Sequence, residues 1–126
     1  MKEGLRMNYT INEIMPKDNR KSFYGKAVVF HFDNGTEALR SYNTIVAVRD
    51  AQRNVYRTWD GWSATTGRHI KAFLDMNKNE FAKLPYHCDL YDILSKCGVD
   101  DIVGFLKYVC EYDDEDLKPY YYNVAR

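Results

Sequence analysis

Residues 41–74 constrain the fold most, because they read as two strands followed directly by a helix: SYNTIVAVRD, a short polar turn, VYRTWDGW, then SATTGRHIKAFL. Tyr42, Thr44, Val46 and Val48 alternate with Asn43, Ile45, Ala47 and Arg49, and both registers carry apolar groups. Such a β-branched run is the pattern of an inner strand covered on both sides. Residues 50–54 are polar and of hairpin-loop length. Val55, Arg57 and Trp59 then alternate with Tyr56, Thr58 and Asp60, and Asp60-Gly61 ends the strand, since glycine takes backbone angles that its neighbours do not. Ser63 is placed to cap a helix with its hydroxyl. Behind it Thr66, Ile70, Phe73 and Leu74 share one face, with Arg68, Lys71 and Asp75 opposite. Lys71 and Asp75 stand one turn apart with opposite charge. His69 sits at the edge of the apolar face, which predicts a boundary histidine with one ring nitrogen bonded and the other in water.

The flanking sequence extends this unit. In residues 23–32, Val28, Phe30 and Phe32 share one strand face and Ala27, Val29 and His31 the other, with Gly25 marking a bulge. Asp33-Asn34-Gly35 is a strong hairpin signal, because asparagine and glycine tolerate the positive φ of tight turns. This strand therefore pairs with residues 36–49, and residues 55–60 complete a three-stranded antiparallel meander. Tyr9-Thr10-Ile11 offers a fourth strand or a docked arm. Met15-Pro16 and the basic run Lys17, Arg20, Lys21 read as loop, with Lys26 beyond it. Past residues 77–79, which break the pattern, residues 80–84 form a helical turn ending at Pro85. Asp89 caps a helix carrying Leu90, Ile93, Leu94 and Cys97 on one face, and Gly98 suits its C-terminal end. Asp100 caps another, with Ile102, Phe105, Leu106 and Val109 at the same spacing. No linker intervenes. The expectation is one α+β domain over 1–126: an N-terminal arm (1–20), a three- to four-stranded antiparallel meander packed by a helix (21–76), and a helical, acidic part (77–126) with two amphipathic helices.

Three passages, SFYGKA at 22–27, LRSYNTIVA at 39–47 and WDGWSATTGRHIKAFL at 59–74, carry a resemblance. They are similar to a family of small uncharacterised proteins found on phages, plasmids and other mobile elements of gut-type Gram-positive bacteria. The phrase W-x-G-aromatic-S-A-T-T-x-x-H-I/V-x-x-F is the most specific part. The resemblance covers about the middle half of the chain and implies no activity and no catalytic residues.

Length and composition bound the rest. A chain of 126 residues with 45% apolar content suits a single modest core. No run is long enough to span a membrane and no signal-peptide pattern opens the sequence, so a cytoplasmic protein is expected. Three cysteines, an odd number, fit reduced thiols better than a disulfide framework. Net charge is zero but unevenly spread: residues 1–71 hold twelve Lys/Arg and seven Asp/Glu, residues 72–126 six and eleven. Eleven tyrosines supply contact area with a polar tip, on half-buried strands or on a binding face.

Catalytic and metal signals are weak. There is no G-x-S-x-G, H-E-x-x-H or P-loop. His87, Cys88, Cys97 and Cys110 lack the paired close spacing of structural zinc, and Cys97 and Cys110 fall on or beside apolar helix faces. No metal or cofactor is expected. The two C-terminal helices imitate a helix-turn-helix in spacing only, since the second begins Asp100-Asp101 and offers Lys107 alone as a cation. Two interaction surfaces remain. Tyr112, Asp113, Asp114, Glu115, Asp116, Tyr120 and Tyr121 form an acidic, aromatic stretch, either a solvated tail or a local imitation of nucleic-acid phosphate directed at a protein partner. Arg40, Arg49, Arg53 and Arg57 with Tyr56 form the alternative, a basic strand surface for nucleic acid. The leading expectation is a non-enzymatic mobile-element protein that binds and inhibits a host defence nuclease, in the manner of anti-CRISPR proteins. A nucleic-acid-binding accessory protein is the alternative.

Overall fold

Gly35, at φ +92°, makes the first tight reversal between β2 (Ala27–Phe32) and β3 (Glu37–Ser41). The computed structural model that shows this describes residues 8–16 and 23–120. A second reversal falls at Tyr42-Asn43, inside what the alternation predicts to be one strand. Tyr42 takes φ +55°, a conformation that a side chain with a Cβ seldom adopts and that tyrosine does not signal. The predicted strand over 36–49 is therefore two, β3 and β4 (Thr44–Arg49). The last strand, β5, is only Val55–Arg57. At the other edge β1 (Tyr9–Glu13) pairs with β2, as the arm suggested. All neighbours are antiparallel, so among the described residues the expected three- to four-stranded meander is a five-stranded one, in the order β1-β2-β3-β4-β5.

Among the described strands the bulge lies in β4 and not at Gly25, where Tyr24 and Gly25 instead form a turn at positive φ. Leu39 pairs with Ala47 and Arg40 with Ile45, leaving Val46 as the extra residue. Val46 and Ala47 thus belong to the core on one side of the sheet, Ile45 and Val48 to the core on the other. This is why both registers of β4 are apolar.

Each side of the sheet is covered by helices. On one, α1 (Ala64–Leu74) and α2 (Lys78–Ala82) bring Ile70 and Phe81 against Val29, Leu39, Val46 and Ala47. Ser63 caps α1 as expected, its hydroxyl accepting the Thr66 amide at 3.1 Å. Asn77 and Glu80 cap α2 reciprocally, so the pattern break at Asn77 is a helix start. On the other side lie α3 (Leu90–Lys96), α4 (Ile102–Tyr108) and α5 (Asp114–Leu117), the last running into a 3-10 turn at Lys118–Tyr120. Phe105 inserts among Tyr9, Phe30 and Phe32, with ring centroids 5.6, 5.3 and 5.1 Å away. Asp89 caps α3 and Gly98, at φ +80°, ends it. The start of α4 differs from the expectation: Asp101, not Asp100, is its first flanking residue, and its side chain makes no capping bond. Among the described residues no helix is long and apolar enough to cross a membrane.

Candidate binding face

The acidic run is a helix start and not a free tail. Asp113 accepts the Asp116 amide at 2.9 Å, and Asp116 accepts the Asp113 amide at 3.1 Å, so the two carboxylates start α5 between them. Leu117, fully buried, pins this short helix to the core. Beyond it the Tyr120 ring stacks on Tyr91 at 4.5 Å and 10°, and its hydroxyl donates to Asp89 at 3.1 Å. Burial and the Asp89 charge push the Tyr120 phenol up to about 12. Tyr112 is half-buried beneath the same group, and its phenol is raised by burial, then by Cys110, Asp89 and Asp116. Asp89, Tyr91, Asp92, Ser95 and Tyr120 line a shallow polar hollow of ≈ 370 Å³. Asp114 and Glu115 stand exposed. Tyr121 lies outside the described residues, as do Lys17, Arg20 and Lys21. Residues 86–120 carry nine Asp/Glu against three Lys/Arg. The tertiary structure thus joins the predicted Tyr112, Asp116 and Tyr120 to Asp89, Tyr91 and Asp92. Asp89 was legible only as a cap, and nothing local marks Tyr91, because the stack links positions far apart in the chain.

The predicted basic strand surface is not assembled. Arg40 and Tyr56 face the α3–α5 side, where Arg40 lies 5.3 Å over the Phe30 ring and the Tyr56 hydroxyl reaches Asp50 at 3.4 Å. Arg49 faces the α1–α2 side and is occupied. It pairs with Glu37 at 2.7 Å, donates to the Phe73 carbonyl at 3.2 Å and lies 4.4 Å over the Phe73 ring. Arg57, on that side too, donates to the Leu84 carbonyl at 2.9 Å between the rings of Phe81 and Tyr86. Arg53 sits alone in the β4–β5 loop at φ +74°. Strand alternation distributes these charges over both faces, and sequence proximity hides that.

His69 is not at a boundary. It is fully buried, with Nδ1 2.7 Å from Ser41 Oγ, which also lies 2.9 Å from Thr66 Oγ1. Its Nε2 is buried with no hydrogen-bond partner among the described residues, beside the Phe23 ring, 4.4 Å between centroids. Burial, and secondarily the Arg68 charge, lowers its pKa. The cluster joins β3 to α1 out of reach of solvent, a core polar network rather than an exposed nucleophile. Among the described residues no group of three or more His, Cys, Asp or Glu is placed to hold a metal ion. Burial raises the Cys97 and Cys110 thiols to about 11 and about 12, so both are protonated at neutral pH.

The model of a family of unknown function, DUF8033, matches residues 11–85. The matched stretch takes in most of the sheet with α1 and α2, and the α3–α5 layer lies beyond it. No curated protein and no solved structure matches the chain.

Proposed function

We propose that this chain, which belongs to the DUF8033 family, is a non-enzymatic interaction protein that sets its acidic, aromatic face on the basic groove of a nucleic-acid-handling protein. The observation that carries the reading is the gathering of Asp89, Asp92, Tyr112 and Asp116 around the stacked rings of Tyr91 and Tyr120. A groove that binds nucleic acid presents Lys and Arg to phosphates. Carboxylates on a rigid surface take the place of those phosphates, and tyrosines add contact area at little cost in side-chain freedom. Because the whole chain is neutral, the imitation is local. Complementary charge speeds such an encounter and makes it sensitive to salt. The mobile-element resemblance narrows the partner to a host defence nuclease, with a CRISPR effector as the first candidate.

The test is to incubate the full chain with CRISPR effector nucleases of Gram-positive hosts and to follow target cleavage and complex formation on a sizing column. Slower cleavage and a co-eluting complex, both weakened in D114N/E115Q, are expected. That variant leaves the capping pair Asp113 and Asp116 intact. Neither complex nor inhibition with any effector would remove the reading.

A further inference from the structure

Across the sheet from the acidic face, Trp62 partitions a shallow groove into two hollows. One, ≈ 320 Å³, lies among Arg57, Asp60, Lys78 and Phe81. The other, ≈ 230 Å³ and almost wholly apolar, lies among Ala64, Lys71, Met76 and Lys78. The indole is half-buried and held on two sides. Its six-membered ring rests on the bare backbone of Gly67, where any Cβ would collide with it, and Phe81 packs at 6.0 Å from it. An aromatic surface fixed in this way needs no ordering when it meets a ligand. Around it stand cations from three elements: Arg57 at the end of β5, Lys71 on α1 and Lys78 at the start of α2. Lys71 and Lys78 are exposed, and neither is paired with an acid among the described residues. Among the described residues the only acid lining either hollow is Asp60.

We propose that this groove binds single-stranded nucleic acid, with a base against the Trp62 indole and backbone phosphates over Lys71, Lys78 and Arg57. Three features select that occupant. The Trp62 indole is planar and apolar, which suits the π-face that every base offers. The cations flank the floor, as a phosphate backbone running along the groove requires. Both hollows are open, one (≈ 320 Å³) at the small end of the ~300–1,000 Å³ range of small-molecule pockets and the other (≈ 230 Å³) below it, so each suits one unit of a polymer better than an enclosed nucleotide. An acidic peptide would satisfy the cations but would lay polar backbone on the indole. This site is independent of the acidic face, and it lies wholly within the stretch matched by the family model.

The experiment titrates the full chain with an oligothymidylate of about 12 nucleotides, inside the ~4–16 range of single-strand site sizes, and reads tryptophan fluorescence over a salt series. Quenching is expected, with a slope of log affinity on log salt near −2, from about −0.7 for each of three phosphate contacts. The variant K71E/K78E, checked for an unchanged circular dichroism spectrum, should bind at least about tenfold more weakly and bring the slope near −0.7. No quenching at low salt would overturn the proposal. Wild-type affinity in K71E/K78E, or equal quenching by polyglutamate, would also overturn it.

Discussion

The α1–α2 layer and the α3–α5 layer cover the same sheet but meet solvent with opposite chemistry. The first is built on one long helix and one short one, and takes its N-caps from the uncharged Ser63 and Asn77, with Glu80 closing the second cap. The second is built from three short helices that each start at an aspartate, two of them with capping bonds: Asp89 for α3 and the Asp113–Asp116 pair for α5. A layer of short helices gathers carboxylates simply because each start needs an acceptor for orphan amides. Part of the acidic face is therefore a consequence of architecture. Asp92 pairs with Lys96 one turn on, at 3.2 Å, so Glu115, exposed and outside the capping bonds, is the acid that the architecture accounts for least. The α1–α2 layer has the reverse composition, with its cations outward around a fixed indole.

Substitutions that damage one layer while sparing the other sharpen this contrast. The largest effect is expected from Phe105→Ala, which empties the ring cluster holding α4 to the sheet. Chemical denaturation should show a loss of about 3–5 kcal/mol. A loss well under 1 kcal/mol would mean that α4 is not what holds the acidic layer down. Gly67→Ala should cost less, about 1–3 kcal/mol, because the added methyl overlaps the Trp62 ring and the indole must move. Its readout is a shifted tryptophan emission with the Tyr91–Tyr120 stack undisturbed. If emission stays the same, the groove floor is not fixed as described. The smallest effect at neutral pH concerns His69. Its folded pKa lies below the 6.5 of the unfolded chain, chiefly through burial and then through Arg68. The unfolded state therefore takes up a proton that the folded state refuses, so stability is whole above pH ~6.5 and falls as pH drops below it. Melting curves against pH should show this decline, flattened in His69→Asn. Stability that rises on acidification from pH ~6.5 would contradict the burial of this ring.

The helices were largely legible, because their signals are local. Ser63 and the Ile70 stripe, Asp89 with Leu90–Leu94, and the Ile102–Leu106 face each lie within a few turns of chain. Strand ends were less so. The Tyr42-Asn43 reversal has no glycine to announce it, and the Val46 bulge exchanges faces in a run where every residue is apolar. Site residues divide on the same ground. Asp113–Asp116 and Tyr120 stand out in sequence, whereas Tyr91 joins them only by tertiary stacking. Arg40 and Arg49 read as one basic stripe until strand pairing sets them on opposite sides of the sheet. Trp62 sits just ahead of a helix cap, five positions before a glycine, and that pairing of a large ring with a bare backbone was the one available hint of the groove.

The claim that one sheet separates two binding chemistries is tested most directly by amide chemical-shift mapping of the full chain with two probes. One is the oligothymidylate; the other is oligolysine, standing in for a basic protein groove. Disjoint responses are predicted. The oligothymidylate should move Trp62, Lys71 and Lys78, and oligolysine should move Asp92, Glu115 and Tyr120. Both probes shifting the same residues, or the oligothymidylate shifting only the α3–α5 layer, would contradict the account.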